Sequence, residues 1–448
     1  METAVKGKEI ARGKTKAIYE IVGDPQRVIM SNFDEITKND DPGQTRTMTG
    51  KGVFATQTTK AVFKLLQDAS LPVAYDHEFS MGLPSNEFVA PLCKMIPLEN
   101  IIRRNVVGSG EKRNPSLKKT GSLPYNRSHR LIYEAFLKTT GGKVGKYTMP
   151  LDVSDPESKK VVDDPLIIDP YQETWKLQHP KIPIWQPESL VGFPEVSSTD
   201  ILPEGVTMAQ IEEITRRVFL VLESAWAQLN CRLIDFKIEF GIDADGNLLV
   251  ADVIDNDSWR VRTFDWKELS KQLFRDNHEM SEIKEKYELV AKIISQWRLP
   301  KQALIVWKGS KSDEFLPQVL SSSSGAIAGI DVNEVVLSGH KSPAACLEKL
   351  EETLGLYPEG GVIIAFVGLS DGLGPMLAAR TSWPVIAVPA TAEQNPNDVW
   401  SSLNIPSQVP LLTVLSKKNA ALSALGILSQ KNPAAYMTRQ YALESLDV

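Results

Sequence analysis

Hydrophobic positions along the chain follow two grammars that meet near residue 300. Beyond Pro300, four short continuous apolar runs at 303–307, 332–337, 362–367 and 385–388 alternate with Gly/Ser/Pro-rich loops and helical patterns. Such runs predict strands buried on both faces. Their alternation with helices predicts a parallel α/β sheet with a ligand site at the strand carboxyl ends. Upstream, Thr207 and Gln210 fit a capping box, and Ile211, Ile214, Val218, Leu222, Ala225 and Leu229 follow at helical spacing. Ile283, Tyr287, Val290, Ile294 and Trp297 form a second helical stripe. Between 233 and 240 the period falls to two. Ile234, Phe236, Ile238 and Phe240 share one face of a strand, and Asp235, Lys237 and Glu239 share the other. A turn at 243–247 predicts an antiparallel return over 248–254. Pairing Ile242 with Leu249 sets Glu239 opposite Asp252.

Residues 1 to about 135 read as strands and turns with few helices. From about 138 to 207, nine prolines and little periodicity predict an irregular covering segment, with Tyr171, Trp175, Ile184 and Trp185 available for burial. Pro300 disfavours a helical Leu299. The division expected is therefore 1–265, a helical connecting segment over 266–300, and 301–448.

Composition narrows the function. A formal net charge of −6 argues against a nucleic-acid partner, which calls for clustered basic charge. Cys93, Cys231 and Cys346 lie far apart, as do the five histidines, so neither a zinc site nor a disulfide framework is suggested. The N-terminus has no secretory pattern, and the longest apolar run, 362–367, is far below the ~20 residues that span a bilayer. The expectation is a soluble protein of a reducing, cytoplasmic compartment with no membrane partner.

Candidate chemistry gathers at four places in the first region. Arg12-Gly-Lys-Thr-Lys16 lies between strand patterns at 8–11 and 17–21. A hairpin there, with Gly13 at its tip and Lys14 and Lys16 alongside, suits nucleotide phosphates, although a solvated basic turn has the same pattern. Glu239 opposite Asp252 would repel unless a cation such as Mg²⁺ sits between them. The alternative is one carboxylate turned to solvent or paired with Lys237. Asp255-Asn-Asp-Ser-Trp-Arg260 follows a strand, where Arg260 is suited to a phosphate or carboxylate. Arg103, Arg104, Lys112, Arg113, Lys118 and Lys119 surround Gly108-Ser-Gly110, a local basic loop that suggests a small phosphorylated ligand.

In the second region, loops 307–313, 338–343 and 368–375 each follow a predicted strand. Ser310 and Ser312 stand at a predicted helix start, and His340 can move a proton near neutral pH. Each loop alone is equally a simple connector.

These motifs resemble two known families. Gly13-Lys-Thr-Lys16, Ile96-Pro-Leu-Glu99 followed by Arg103-Arg104 and Gly108-Ser109, Lys112-Arg-Asn-Pro115, Asp235-Phe-Lys-Ile-Glu-Phe-Gly241 and Asp252-Val-Ile-Asp-Asn-Asp-Ser-Trp-Arg260 together resemble the SAICAR synthetase family over residues 1 to about 265. The resemblance implies a two-lobe ATP-binding domain with antiparallel sheets. It implies ATP-dependent ligation of L-aspartate to carboxyaminoimidazole ribonucleotide (CAIR), with Mg²⁺ accompanying ATP. Gly13, Lys14 and Lys16 would cover ATP phosphates, and Lys237, Glu239 and Asp252 would serve Mg–ATP. Arg103, Ser109 and Arg260 would meet the substrate phosphate, and Asp257 would lie near the imidazole ribonucleotide. The 138–207 segment departs from the family's.

The second half resembles AIR carboxylase of the type fused to SAICAR synthetase. This implies a Rossmann-like three-layer α/β/α domain that adds CO2 to aminoimidazole ribonucleotide (AIR) without an organic cofactor. His340 would handle the ring proton, with Lys341 near CO2 or carboxylate. Ser310, Ser312 and Asp313 would hold the ribose phosphate, with Ser338 and Gly372 also at the site. A homo-oligomer through this domain is implied, an octamer among the options. Departures stand at Gly339 (family Ala), Leu369 (family Arg) and Asp371 (family Asn), the last adding a charge of the wrong sign for an anionic product. Lys308 is the nearby cation available to compensate. A second reading makes 301–448 mainly an oligomerisation scaffold beside an active ligase.

Overall fold

The computed structural model describes residues 4–37, 42–117, 127–155, 157, 160–310, 321–322 and 325–446. The chain forms two compact units, Met1–Trp297 and Arg298–Val448. No helix among the described residues is long and apolar enough to cross a membrane.

Two antiparallel sheets build the first unit. The smaller runs in the order Lys6–Arg12, Lys16–Ile21, Asp24–Asn32, Glu87–Pro91. Its first two strands are the expected glycine hairpin, closed by Gly13 N–H donating to Lys16 C=O at 2.8 Å. Helix Lys51–Asp68 lies against this sheet and buries Val62, Phe63, Leu65 and Leu66. In the larger sheet, Cys231–Ile242 pairs with Leu98–Asn105 on one side, and with Leu248–Ala251 and Trp259–Thr263 along the other. Helix Met208–Gln228 covers it. The Thr207–Gln210 capping box is present, with both reciprocal bonds. Such a box satisfies N–H groups that the first helical turn otherwise leaves orphaned.

Three expectations meet a different outcome. Ile242 pairs with Leu248, not Leu249, so Glu239 faces Ala251 and the ladder ends before Asp252. The turn explains the shift. Asp243 accepts from Asn247 N–H at 2.8 Å and donates its own N–H to Asn247 C=O, closing a five-residue loop just inside Ile242 and Leu248. Helix Met280–Ile294, read as part of a connector, belongs to the first unit's core: Ile283 and Tyr287 join Ile36, Met48, Leu273 and Phe274. In the proline-rich segment only Trp175 of the four named side chains is buried. Trp185 is 59% exposed, and Tyr171 and Ile184 are also exposed.

The second unit is a five-stranded parallel sheet in the order Ile330–Val336, Gln302–Lys308, Gly361–Val367, Val385–Pro389, Leu411–Thr413. Helices Pro343–Leu356 and Leu373–Ala378 contribute Cys346, Leu350, Leu373 and Leu377 to the apolar cluster on one face. Helix Lys417–Leu428 contributes Ala420, Ala424, Leu425 and Leu428 to the other, so the layering is α/β/α. Four strands were anticipated from the sequence, and three of them are buried throughout as expected; Ile330–Val336, at the sheet edge, is exposed over 331–334. The fifth, three residues long and only partly buried, was not anticipated. Strand order reverses between the first and third strands in sequence, the place where open parallel sheets carry their ligands, at the strand carboxyl ends.

Removing the Thr207 cap tests how much the first unit's long helix depends on it. Thr207→Ala should cost about 1 kcal/mol, read as a lower urea midpoint with an unchanged slope.

Candidate active site

Alternation along Cys231–Ile242 projects Asp235, Lys237 and Glu239 to one side, and each meets an opposite charge. Asp235 accepts from Arg103 and Arg260, both at 2.6 Å. Lys237 donates to Glu99. Glu239 accepts from Lys138 at 2.6 Å. Although Asp252 falls outside the ladder, its left-handed backbone (φ 66°) turns it to pair with Lys16 of the hairpin. Glu239 and Asp252 therefore line one cavity after all, together with Lys16, Lys51, Lys237, Asp255, Asp257, Lys271 and Arg275.

The charges in this cavity are strongly tuned. Removal from water pushes the Lys16 ammonium down to about 8, against the pull of Glu239 and Asp255. Burial alone would raise Glu239, but Lys138 and Lys237 hold it below its ordinary value. Burial, with the neighbouring Asp257 charge, raises Asp255. Asp257 is driven low despite its burial, because Lys51 and Lys271 stand at 3.3 and 3.1 Å and Tyr287 donates to it at 2.6 Å. Two neighbouring carboxylates whose environments push them apart are a mark of functional sites. The Asp255–Arg260 loop also holds itself: Asp255 accepts from Asp257 N–H, and Asn256 accepts from the Trp259 indole.

Arg103, Ser109 and Arg260 come together as a second cluster. Arg103 is buried between Glu134 (2.8 Å) and Asp235, with its remaining nitrogen donating to Ser109 at 3.3 Å. Gly108 and Gly110 are needed here. A Cβ at 108 would sit 3.0 Å from the Arg260 guanidinium, and one at 110 would sit 2.9 Å from Arg103. Arg104 serves elsewhere: it is buried, and Glu223 accepts from it at 2.7 and 2.8 Å. Lys118 and Lys119 lie outside the described residues. Lys51, Lys138, Lys271 and Arg275 were not singled out from the sequence. Lys51 carried a faint signal, a lysine between Gly50 and Gly52 at a helix start, but only packing reveals that it is 2% exposed.

In the second unit, the loops after the strands converge. Gly309 N–H donates to Phe366 C=O, joining the ends of the first and third strands. Ser310 follows directly; Ser312 and Asp313 lie outside the described residues. Ser338 accepts from Lys341 N–H at 3.3 Å. His340 rests against Gly372, where a Cβ would come 2.4 Å from its Nε2. A Cβ at Gly339 would meet Leu373 Cα at 2.9 Å, so glycine lets the 368–374 loop close on the histidine.

Asp371 has a structural role in the 368–374 loop. Its buried carboxylate accepts from Gly374 N–H (2.7 Å) and Ser402 Oγ (2.9 Å), so it ties the loop to neighbouring backbone and hydroxyl donors. Lys308 does not stand ready to compensate, because it pairs with Glu334 at 2.8 Å. Nothing in the structure explains exposed Leu369.

The sequence profile of SAICAR synthetase matches residues 9–142 and 168–293, and that of AIR carboxylase matches 303–443. The probable multifunctional protein ADE2 of Caenorhabditis elegans is 33% identical over 439 residues, 94% of this chain and 90% of its own length. The bifunctional phosphoribosylaminoimidazole carboxylase/phosphoribosylaminoimidazole succinocarboxamide synthetase of Drosophila melanogaster is 32% identical over 441 residues, covering 95% and 90%. Among solved structures, a type-2 SAICAR synthetase in complex with ADP aligns at 26% identity with a TM-score of 0.44, covering 63% of this chain and 97% of that one. The chain therefore belongs to the bifunctional AIR carboxylase/SAICAR synthetase family, with SAICAR synthetase as its first part and AIR carboxylase as its second.

Proposed function

We propose that the two units perform consecutive steps of purine synthesis. The second adds CO2 to AIR, giving CAIR. The first joins CAIR and L-aspartate at the expense of ATP, giving SAICAR, ADP and phosphate. One observation carries the assignment of the ligase site: Lys16, Lys51, Lys237 and Lys271 converge with Glu239, Asp252, Asp255 and Asp257 on a single cavity. A triphosphate calls for the cations, and a hydrated divalent ion calls for the carboxylates.

Among the described residues, no group of three or more His, Cys, Asp or Glu is placed to hold a metal ion. Mg²⁺ needs less, because it binds through one or two carboxylates together with water and substrate phosphates. Glu239 and Asp252 fit that role and would hold it. When bound, the ion neutralises charge on the phosphates. Lys16 and Lys237 supply further positive charge, and Gly13 and Lys14 of the hairpin lie over the phosphates. The CAIR carboxylate attacks the γ-phosphorus and ADP leaves. The aspartate amine then attacks the acyl phosphate carbon and expels phosphate. Ionised Asp257 faces the imidazole ribonucleotide, while Arg260 and Ser109, braced by Arg103, receive its phosphate. The protein contributes positioning and charge, with no nucleophilic side chain.

In the second unit His340 carries the ring proton, and Lys341 stands near the new carboxylate. Ser310, Ser338 and Gly372 line the site; Ser312 and Asp313, expected at the ribose phosphate, lie outside the described residues. No organic cofactor enters this chemistry. The scaffold-only reading is less favoured, since the AIR carboxylase profile matches this unit and relatives that match along most of the chain are named for both activities. Self-association remains compatible with catalysis: exposed Trp400, Leu403, Leu412 and Leu415 offer an apolar surface for a homo-oligomer.

Glu239→Gln should lower ATP-dependent SAICAR formation by about 10²–10³-fold while AIR carboxylation continues. His340→Asn should reverse the pattern, abolishing carboxylation and leaving ligation of supplied CAIR intact. Both are read by separate assays of the same purified chain. Gly339→Ala should lower carboxylation by about ten-fold or more, because the new methyl group forces the 368–374 loop away from His340. Ligase kinetics in that variant should not change.

A further inference from the structure

The SAICAR synthetase match omits residues 143–167, and the proposed mechanism makes no use of them. Their exit limb nevertheless reaches the ligase site. Leu166 pairs with Phe136, and Pro165 C=O accepts from Leu137 N–H at 2.9 Å, which lays the limb along the strand leading to Lys138. Asp164 accepts from Thr139 N–H at 2.8 Å, and its own N–H donates to Thr139 Oγ1 at 3.1 Å. Asp163 accepts from Thr139 Oγ1 at 2.8 Å and from Gly142 N–H at 2.6 Å. Val161 closes over Gly142, where a Cβ would come within 2.5 Å of it. Gly141 and Gly142 are both left-handed (φ 58° and 69°), the geometry of a tight reversal at 140–143. The first two contacts hold the strand just before Lys138 and the rest hold the turn that directly follows it; the Lys138 ammonium donates to Glu239 at 2.6 Å.

We propose that the exit limb of this stretch, residues 161–167, is a strap that fixes Lys138 on the ligase site, with Asp163 and Asp164 as its positioning residues. A long lysine side chain on an unsupported turn would spread over many rotamers. Four hydrogen bonds to the two residues' carboxylates and backbone give it one anchor point, and so set where its charge stands relative to Glu239. The proposal rests on the reading of Glu239 as an Mg–ATP residue, and the experiment separates the two.

Full-length Asp163→Ala/Asp164→Ala should lose about 10–100-fold in kcat/KM for ATP, with the KM for aspartate and the carboxylase activity unmoved. Asp163→Asn/Asp164→Asn, which keeps oxygen acceptors in place, should recover most of that loss. In a Lys138→Met background the alanine pair should add less than about two-fold, because the strap acts through the lysine. An alanine pair with unchanged ATP kinetics, or one whose loss adds fully to that of Lys138→Met, overturns the proposal. If the alanine pair does not fold, Thr139→Ala is read by the same cycle with Lys138→Met. Should Glu239→Gln abolish ligation while Lys138→Met does not, the strap alone falls. If Glu239→Gln stays active, the site assignment falls first.

Discussion

Opposite charges paired along one face of the Cys231–Ile242 strand hold the first unit's site in shape. Moving an ion out of water costs several kcal/mol even after relaxation, so a buried charge survives only with a partner. Asp235 meets this condition through Arg103 and Arg260, and Glu239 through Lys138; the half-exposed Lys237 pairs with Glu99. The partners come from three places in the chain: Glu99 and Arg103 from the strand Leu98–Asn105, Arg260 from the strand Trp259–Thr263, and Lys138 from the turn before the proline-rich segment. The strand is thus an axis onto which distant segments are drawn by charge. The fold itself thus fixes where the site's charges stand.

Binding then becomes an exchange of partners. Lys16 pairs with Asp252, and Lys138 with Glu239, the two carboxylates suited to a magnesium ion. A divalent cation at those carboxylates would displace the lysines toward phosphate, so cation and nucleotide favour each other's binding. Asp257 sits at the other end of the same cavity, clamped by Lys51, Lys271 and Tyr287. The 280–294 helix that bears Tyr287 is part of the ligase architecture.

The second unit reaches its site by a different route, through backbone proximity and not charge. Strand order reverses at its centre, and two glycines let His340 and the 368–374 loop close on each other. Gly339 and Asp371, which differ from the family pattern, both acquire structural reasons: one makes room for Leu373 and the other anchors the loop. These two substitutions thus bear on how the loop is held.

Periodicity determined much of this by itself. The capping box at Thr207, the two-residue alternation of Asp235, Lys237 and Glu239, four of the five parallel strands and the glycine hairpin all follow from local spacing, because main-chain geometry forces side chains to repeat every 2 or about 3.6 residues. Tertiary structure decided what spacing does not encode. Register was settled by the hydrogen bonds of the 243–247 turn, which moved Glu239 from Asp252 to Ala251. The meeting of Glu239 with Asp252 came from one left-handed residue and a lysine far away in sequence. Lys51 and Lys138 looked like any surface lysine until packing buried one and paired the other. Local pattern specifies which way a side chain points from its own strand or helix; which charge it meets depends on segments far apart in the chain, and only their folding together decides that.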